Sequence, residues 1–186
     1  MNKTLISLTI VAFATINQVK AQTDHIEHKV TLQQKSTKEL KDIERAKAWL
    51  AHSVEDDLNK ANGLAENTNE EAEGGRKQIY ADKYIAYKND AFEVGMEGKM
   101  TLKAFQKKWS KDFDCQYAGI GFGCLVPISD YGLIKVSRCI FTKKVGLTYV
   151  FETTITDTDA KIGYKRDIKV VPSGKAYLIE DVLEYN

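Results

Sequence analysis

The chain has 186 residues, with 27 Lys and Arg against 26 Asp and Glu, a net charge of +1 and 43% hydrophobic residues. This length fits one domain, or one domain with an appendage, and the hydrophobic content is that of a folded globular protein. A neutral chain lacks the basic footprint of a nucleic-acid-binding protein, so we expect no nucleic-acid partner. Three cysteines are too few for a disulfide-dense scaffold.

The first segment, residues 1–21, has the pattern of a secretory signal peptide. Lys3 precedes the apolar run Leu5–Ile16, which is too short to cross about 30 Å of hydrocarbon as a helix. The tripeptide Val19–Ala21 suits a signal peptidase, which predicts cleavage before Gln22. An N-terminal membrane anchor is the alternative. Cleavage changes the net charge from +1 to −1 and predicts a periplasmic or secreted protein with no membrane span.

The next three segments differ in composition. Residues 22–35 are polar without periodicity and predict a flexible arm, whereas 63–75 are acidic and glycine-terminated and predict a linker. Between them, 36–62 predict a long amphipathic helix, because Ser36 and Glu39 fit a capping box. Its apolar stripe is formed by Leu40, Ile43, Leu50, Val54, Leu58 and Ala61.

Residues 76–186 predict a separate α+β domain that begins with helices. The spacing of tyrosines and apolar residues predicts one helix over Arg76–Val94, with Tyr80, Tyr84 and Tyr87 on one face. These rings pack inward, or alternatively they face a ligand. Thr101 can cap a further helix. Its stripe consists of Leu102, Phe105, Trp109 and Phe113.

The pattern then changes to alternation with period two, which is typical of half-buried strands. The predicted strands are Leu133–Phe141, Leu147–Thr156, Lys161–Val171 and Ala176–Tyr185. Turn-forming residues separate them. Helices followed by consecutive strands predict an α+β fold, with two or three N-terminal helices packed on an antiparallel sheet of four to five strands.

The cysteines are disulfide candidates, because an oxidising compartment permits a bridge. Cys115 and Cys124 are the two nearest in sequence, and Cys139 is an alternative partner for either one. No nucleophile constellation stands out, so we assign no catalytic residue. His25 and His28 lack further ligands nearby, and we expect neither a metal nor a cofactor.

Four residues are candidates for binding a ligand. Tyr84 and Tyr87 lie on the tyrosine face, and Arg166 falls in the apolar register of its strand. Arg166 lines a cavity if it faces inward; alternatively, it lies at an edge position or forms a salt bridge to Glu152 or to Asp181. Asp181 belongs to an acidic pair in the last strand and is the fourth candidate.

The final segment, Ser173–Val182, resembles the last strand of small exported bacterial domains with a nuclear-transport-factor-2-like, or cystatin-like cone, fold. In these domains a turn and an aromatic residue precede an apolar pair, an acidic pair and a valine. The helical stretch Tyr80–Phe113 is similar in order. The resemblance covers about residues 76–186 and implies a curved sheet; the helix at 36–62 departs from the minimal fold.

Two functions remain open at this stage. We favour an exported non-catalytic binding domain for a small ligand or a protein partner, one version being a periplasmic immunity or inhibitor protein. The alternative is a small-molecule enzyme or ligand carrier that uses the cavity of a cone fold. Because cone folds serve enzymes, binding modules and assembly factors alike, the fold does not decide whether the protein is an enzyme. The absence of a recognisable catalytic motif favours a non-catalytic role.

Overall fold

A computed structural model describes residues 37–64, 78–94, 96, 99–116, 118–119, 124–127 and 130–184. The predicted signal peptide, the predicted arm at 22–35, Ser36 and residues 65–75 of the predicted linker lie outside the described residues. The chain divides into two compact units, Met1–Asp42 and Ile43–Asn186. Of the first unit the structure describes residues 37–42, which are helical. The second unit contains the elements described below.

The described residues form three helices and a curved, open antiparallel sheet of four strands, which is an α+β fold as predicted. Helix α1 covers 37–61, α2 covers Asp82–Glu93 and α3 covers Leu102–Trp109. The strands are β1 (Ile134–Val145), β2 (Thr148–Asp157), β3 (Ile162–Ser173) and β4 (Ala176–Glu184). They pair in the order β1-β2-β3-β4, each antiparallel to the next.

Helix α2 begins later than predicted because the preceding backbone pairs with the sheet. The Ala81 amide donates to the Ile179 carbonyl at 2.8 Å, and the Ile179 amide donates to the Ile79 carbonyl at 2.8 Å. Amides that bond to a strand cannot also join a helix, so the helix starts at Asp82. This pairing anchors the start of α2 against β4.

The predicted cap of α3 is confirmed. The Thr101 side chain accepts a hydrogen bond from the Ala104 amide at 3.2 Å, which satisfies one of the free amides at the start of the helix. Phe105 and Trp109 point into the core and pack against Tyr87 of α2, with ring centroids 5.3 and 5.8 Å away. The aromatic stripe is therefore a core face.

Ile140 and Leu147, which a strict period-two alternation places on the core face of the predicted strands, are exposed. Counting in steps of two from the buried Ile134 puts Ile140 on the core face, but the register shifts between Val136 and Arg138 and turns Ile140 outward. A bulge adds one residue to one strand and reverses which side chains face the core. Leu147 lies in the β1–β2 turn rather than in a strand and is 70% exposed. The alternation predicts the strands but not the bulge.

Candidate functional site

A cleft of about 400 Å³ lies between the end of α1, one face of α2 and the segment before β1. Its walls are lined by Leu58, Ala61, Asn62, Tyr80, Tyr84, Lys88, Cys124, Leu125, Val126 and Tyr131. Small-molecule sites are concave and mostly apolar, with a few polar groups, and the volume lies within their usual range. The cleft combines apolar and tyrosine walls with one amine and one thiol.

The α1 wall is fixed to the sheet by a buried asparagine. The Asn59 side chain donates to the Ile134 carbonyl at 3.0 Å and accepts from the Ile134 amide at 2.8 Å. Tyr131 adds a second attachment, because its hydroxyl donates to the Leu58 carbonyl at 3.2 Å and its own carbonyl accepts from the Asn62 side chain. These bonds hold the last turn of α1 next to the start of β1.

The second wall of the cleft carries two stacked tyrosines, one just before α2 and one within it. The rings of Tyr80 and Tyr84 lie 5.9 Å apart, and the Tyr80 hydroxyl donates to an Asp57 carboxylate oxygen of α1 at 3.5 Å. Tyr84 is only 3% exposed. Burial raises the pKa of the Tyr84 hydroxyl far above its usual range, and nearby Tyr80, Asp181 and Cys124 add to the shift. The Tyr84 phenol therefore stays protonated at any physiological pH.

The third wall is held at Cys124 by two charged residues of the sheet. The Arg166 guanidinium donates through Nε to the Cys124 carbonyl at 2.8 Å, and the Cys124 amide donates to the Glu184 carboxylate at 3.1 Å. Arg166 and Glu184 face each other across the β3–β4 pairing. Both polar groups of the Cys124 backbone are thus bonded to the sheet, which fixes this part of the wall.

Lys88 supplies the amine of the cleft. It follows Tyr84 by four residues and so lies on the same face of α2. Burial lowers the pKa of the Lys88 ammonium group, although Cys124, Glu184 and Asp181 oppose this effect by stabilising the charge. Lys88 and Cys124 both line the cleft. A partly desolvated amine and a thiol therefore border the same space.

The four predicted ligand residues occupy different positions. Tyr84 lines the cleft, whereas Tyr87, on the same face of α2, packs among aromatic rings away from the cleft, with its hydroxyl donating to the Asp114 carbonyl at 3.0 Å. Arg166 is 4% exposed and supports the wall of the cleft from the sheet, by donating a hydrogen bond to the Cys124 carbonyl. Asp181 is 3% exposed and pairs with Lys169 at 2.8 Å. The structure therefore brings Tyr84 into the cleft, with Arg166 as its support.

The residues that sequence reasoning missed include Lys88, Asn62 and Tyr131. Lys88 has a detectable signal, because its spacing of four from Tyr84 places it on the tyrosine face. Asn62 and Tyr131 have no comparable signal, since their place in the cleft depends on contacts between residues 69 positions apart. Such contacts follow from tertiary packing alone.

All three cysteines are free thiols in the structure, so no disulfide joins Cys115, Cys124 or Cys139. The Cys115 thiol donates to the Phe113 carbonyl at 3.4 Å inside the core. Cys139 lies on β1, where burial raises the pKa of its thiol to about 11. The disulfide prediction rested on an oxidising compartment and on nearness in sequence, whereas the fold gives each thiol a different environment.

The described part of the chain contains no group of three or more His, Cys, Asp or Glu side chains arranged to hold a metal ion. Asp157, the last residue of β2, uses its carboxylate to bond backbone amides of the chain instead. The Asp157 carboxylate accepts from the amides of Asp159, Ala160 and Gly132, at 2.9, 2.9 and 3.0 Å. Among the described helices, none is both long and apolar enough to cross a membrane.

Comparison with protein-family models, with curated proteins and with solved structures returned no match for this chain. The assignment of the site rests on its own geometry.

Proposed function

We propose that the protein is an exported, non-catalytic binding domain whose cleft holds a small ligand with an apolar or aromatic body and one anionic group. The observation that carries this proposal is the composition of the cleft, where tyrosine and aliphatic walls surround Lys88. Export, to the periplasm or outside the cell, is part of the proposal and is supported by the signal-like sequence of residues 1–21.

The cone-like fold also belongs to the proposal. Its support is the order of the elements, since helices precede a curved antiparallel sheet in residues 76–186. In this interpretation the cleft lies at the edge of the sheet, bounded by Tyr84 on one side and Cys124 on the other. A ligand enters between helices and loop rather than through the strands.

The chemistry of the walls defines the ligand class. Leu58, Leu125 and Val126 offer apolar contact, and the rings of Tyr80 and Tyr84 offer an aromatic surface. The lysine side chain can form a charge-assisted hydrogen bond to a carboxylate or sulfonate, which contributes more than a bond between neutral groups. Such a combination favours an amphipathic anion over a sugar or a cation.

A binding role fits the positions of the buried charges better than a catalytic one. Asp181 is paired with Lys169, and Arg166 donates to the carbonyls of Cys124 and Lys165. Arg166 therefore stabilises the wall at Cys124, and Asp181 is neutralised within the sheet. The alternative, a small-molecule enzyme or ligand carrier, uses the same cleft and is distinguished by turnover of the bound compound.

The test is a titration with anilinonaphthalenesulfonate, a fluorescent aromatic sulfonate. We expect one saturable site in the wild type and weak or no binding in Ala61→Trp, because the larger side chain fills the cleft. The matched control is Ala48→Trp, at an exposed position of the same helix. Equal binding by both variants contradicts the proposal, provided that near-ultraviolet circular dichroism shows both to be folded.

A second candidate function, an immunity or inhibitor protein, is favoured by the tip of the β1–β2 hairpin. Val145 and Leu147 are 62% and 70% exposed there, next to Lys143 and Lys144. Apolar residues ringed by charge are typical of protein interfaces.

A deletion strain grown against competing strains tests this second candidate. We expect increased sensitivity that the wild-type gene reverses but Leu147→Asp does not. The matched control is Ile162→Asp, another exposed apolar residue, which should restore resistance. Unchanged sensitivity of the deletion strain contradicts this function and leaves the ligand proposal unaffected.

A further inference from the structure

Two nucleophilic side chains line the same cleft, the Lys88 amine and the Cys124 thiol. Lys88 comes from the middle of α2, whereas Cys124 lies 36 positions later in the segment that precedes β1. The cleft has a volume of about 400 Å³, so a small ligand bound in it lies near both groups. An amine and a thiol that line one cleft can bond to the same carbon atom of such a ligand.

The thiol is held in place by the sheet. The Cys124 carbonyl and amide are bonded to Arg166 and Glu184, so the backbone on both sides of the side chain is fixed. The neighbouring Leu125 and Val126 are buried and present apolar surface to the cleft. A fixed thiol in an apolar wall is well placed to add to an electrophile bound beside it.

We propose that the cleft captures small aromatic or aliphatic aldehydes reversibly, with Lys88 and Cys124 both bonding to the aldehyde carbon. This proposal rests on the proposed function, because it takes the same cleft as the binding site and names a ligand class that reacts there.

The chemistry needs no oxidant or cofactor. The Lys88 amine adds to the carbonyl carbon, and the carbonyl oxygen leaves as water with the two amine protons, which forms an imine. The Cys124 sulfur then adds to the imine carbon, and the thiol proton moves to the nitrogen. The product is a thioaminal in which one carbon bears both the nitrogen and the sulfur. Each step is reversible.

The environment of Lys88 favours the first step. Only the neutral amine is nucleophilic, and burial lowers the pKa of Lys88 so that more of it is neutral near pH 7. The groups that face Lys88 and oppose this shift are Cys124, Glu184 and Asp181. Because the net shift is downward, Lys88 should react with an aldehyde in preference to exposed lysines such as Lys83.

The experiment uses benzaldehyde and cyanoborohydride, which reduces the imine to a stable benzyl-amine. We expect a single benzyl group on the wild-type protein, located at Lys88 by peptide mapping, and none in Lys88→Arg. The arginine variant keeps the charge, and near-ultraviolet circular dichroism establishes that it is folded. Lys83→Arg is the matched control on the same helix and should be labelled as the wild type is.

The role of Cys124 is tested by absorbance without reductant. The benzaldehyde imine is conjugated and absorbs in the near ultraviolet, whereas the thioaminal does not. We expect Cys124→Ser to accumulate the imine band and the wild type to show little of it. Equal imine bands in the two proteins contradict the role of the thiol.

The two proposals fail in different ways. If the wild type binds the sulfonate in the cleft but benzyl groups are spread over exposed lysines, aldehyde capture is wrong and the binding function stands. If neither sulfonate binding nor labelling at Lys88 is observed, both proposals are wrong.

Discussion

Two neighbouring tyrosines on one face of α2, Tyr84 and Tyr87, lie in different settings, although their ring centroids are 6.1 Å apart. Tyr87 is surrounded by rings, with the Phe113 ring stacked at 4.2 Å and Phe105 and Trp109 within 6 Å. Tyr84, three residues earlier, stacks on Tyr80 and borders the open cleft. We refer to the surroundings of Tyr87 and of Tyr84 as the filled side and the cleft side of this tyrosine face.

The difference between the two sides comes from what packs opposite each tyrosine. Helix α3 brings a continuous aromatic face against Tyr87 and leaves no space there. Opposite Tyr84 lie the end of α1 and the segment around Cys124, which contribute small or aliphatic side chains. A tyrosine face on a helix becomes a core or a site according to the neighbouring element, and substitutions should separate these two roles.

Phe105→Ala on the filled side should have the largest effect on stability. Phe105 is completely buried, and its removal should lower the free energy of unfolding by about 3–5 kcal/mol through lost contacts and the cavity left behind. Urea denaturation measures this loss. Phe92→Ala, at an exposed position of α2, is the control and should change stability by less than about 0.5 kcal/mol. Similar losses in the two variants contradict the account of the filled side.

Arg166→Met should weaken the cleft side. The variant loses the hydrogen bonds to the carbonyls of Cys124 and Lys165, which should cost about 1–3 kcal/mol and should also reduce sulfonate binding. Arg138→Met is the matched control, because Arg138 forms an exposed pair with Glu152 and should contribute about 0–1 kcal/mol. Unchanged sulfonate binding in Arg166→Met contradicts the claim that Arg166 supports the wall of the cleft.

Thr101→Ala should affect stability without affecting the cleft. The Thr101 side chain caps α3, and its loss should cost about 1 kcal/mol. Sulfonate affinity should stay at the wild-type value, since α3 packs on the filled side. Ser110→Ala at the other end of α3 serves as the control for an exposed substitution. A large change in affinity for Thr101→Ala shows that the two sides are not independent.

A pH-dependent effect is expected at Asp157, whose carboxylate accepts a hydrogen bond from the Gly132 amide, next to the cleft residue Tyr131. Hydrogen bonds from the Ala160, Gly132 and Asp159 amides lower the pKa of the Asp157 carboxyl. A lowered folded-state pKa stabilises the protein above the unfolded pKa, and this contribution is lost as the pH falls through the folded value. Wild type and Asp157→Asn should therefore differ most near neutral pH and converge in acid, as measured by urea denaturation at several pH values. If the two proteins differ in unfolding free energy by the same amount at every pH, the stabilising role of the Asp157 carboxylate is contradicted.

The sequence predicts elements better than it predicts their surroundings. Periodicity placed Thr101, Phe105 and the four strands, because local patterns and caps determine where such elements form. Periodicity also placed Arg166 among the buried positions of its strand. It could not show that Arg166 donates to the Cys124 carbonyl, because that contact forms only in the folded chain. The predicted start of α2 was wrong, because the backbone before Asp82 pairs with Ile179 instead of forming helical hydrogen bonds.

The candidate site shows the same division. Tyr84 was identified from its helical face, and Lys88 was detectable by its spacing, since both lie on one helix. Cys124 was chosen for a disulfide, but its side chain lies in a cleft formed by residues from three parts of the chain. A site assembled from distant segments leaves no local pattern, and nearness in sequence is then a poor guide.

Fluorine NMR of the protein labelled with fluorotyrosine tests the central claim most directly, with each signal assigned by a Tyr→Phe variant. On addition of anilinonaphthalenesulfonate, we predict that the signals of Tyr80, Tyr84 and Tyr131 shift while that of Tyr87 does not. A shift of Tyr87 equal to that of Tyr84, or unchanged signals from all three cleft tyrosines under saturating ligand, contradicts the account.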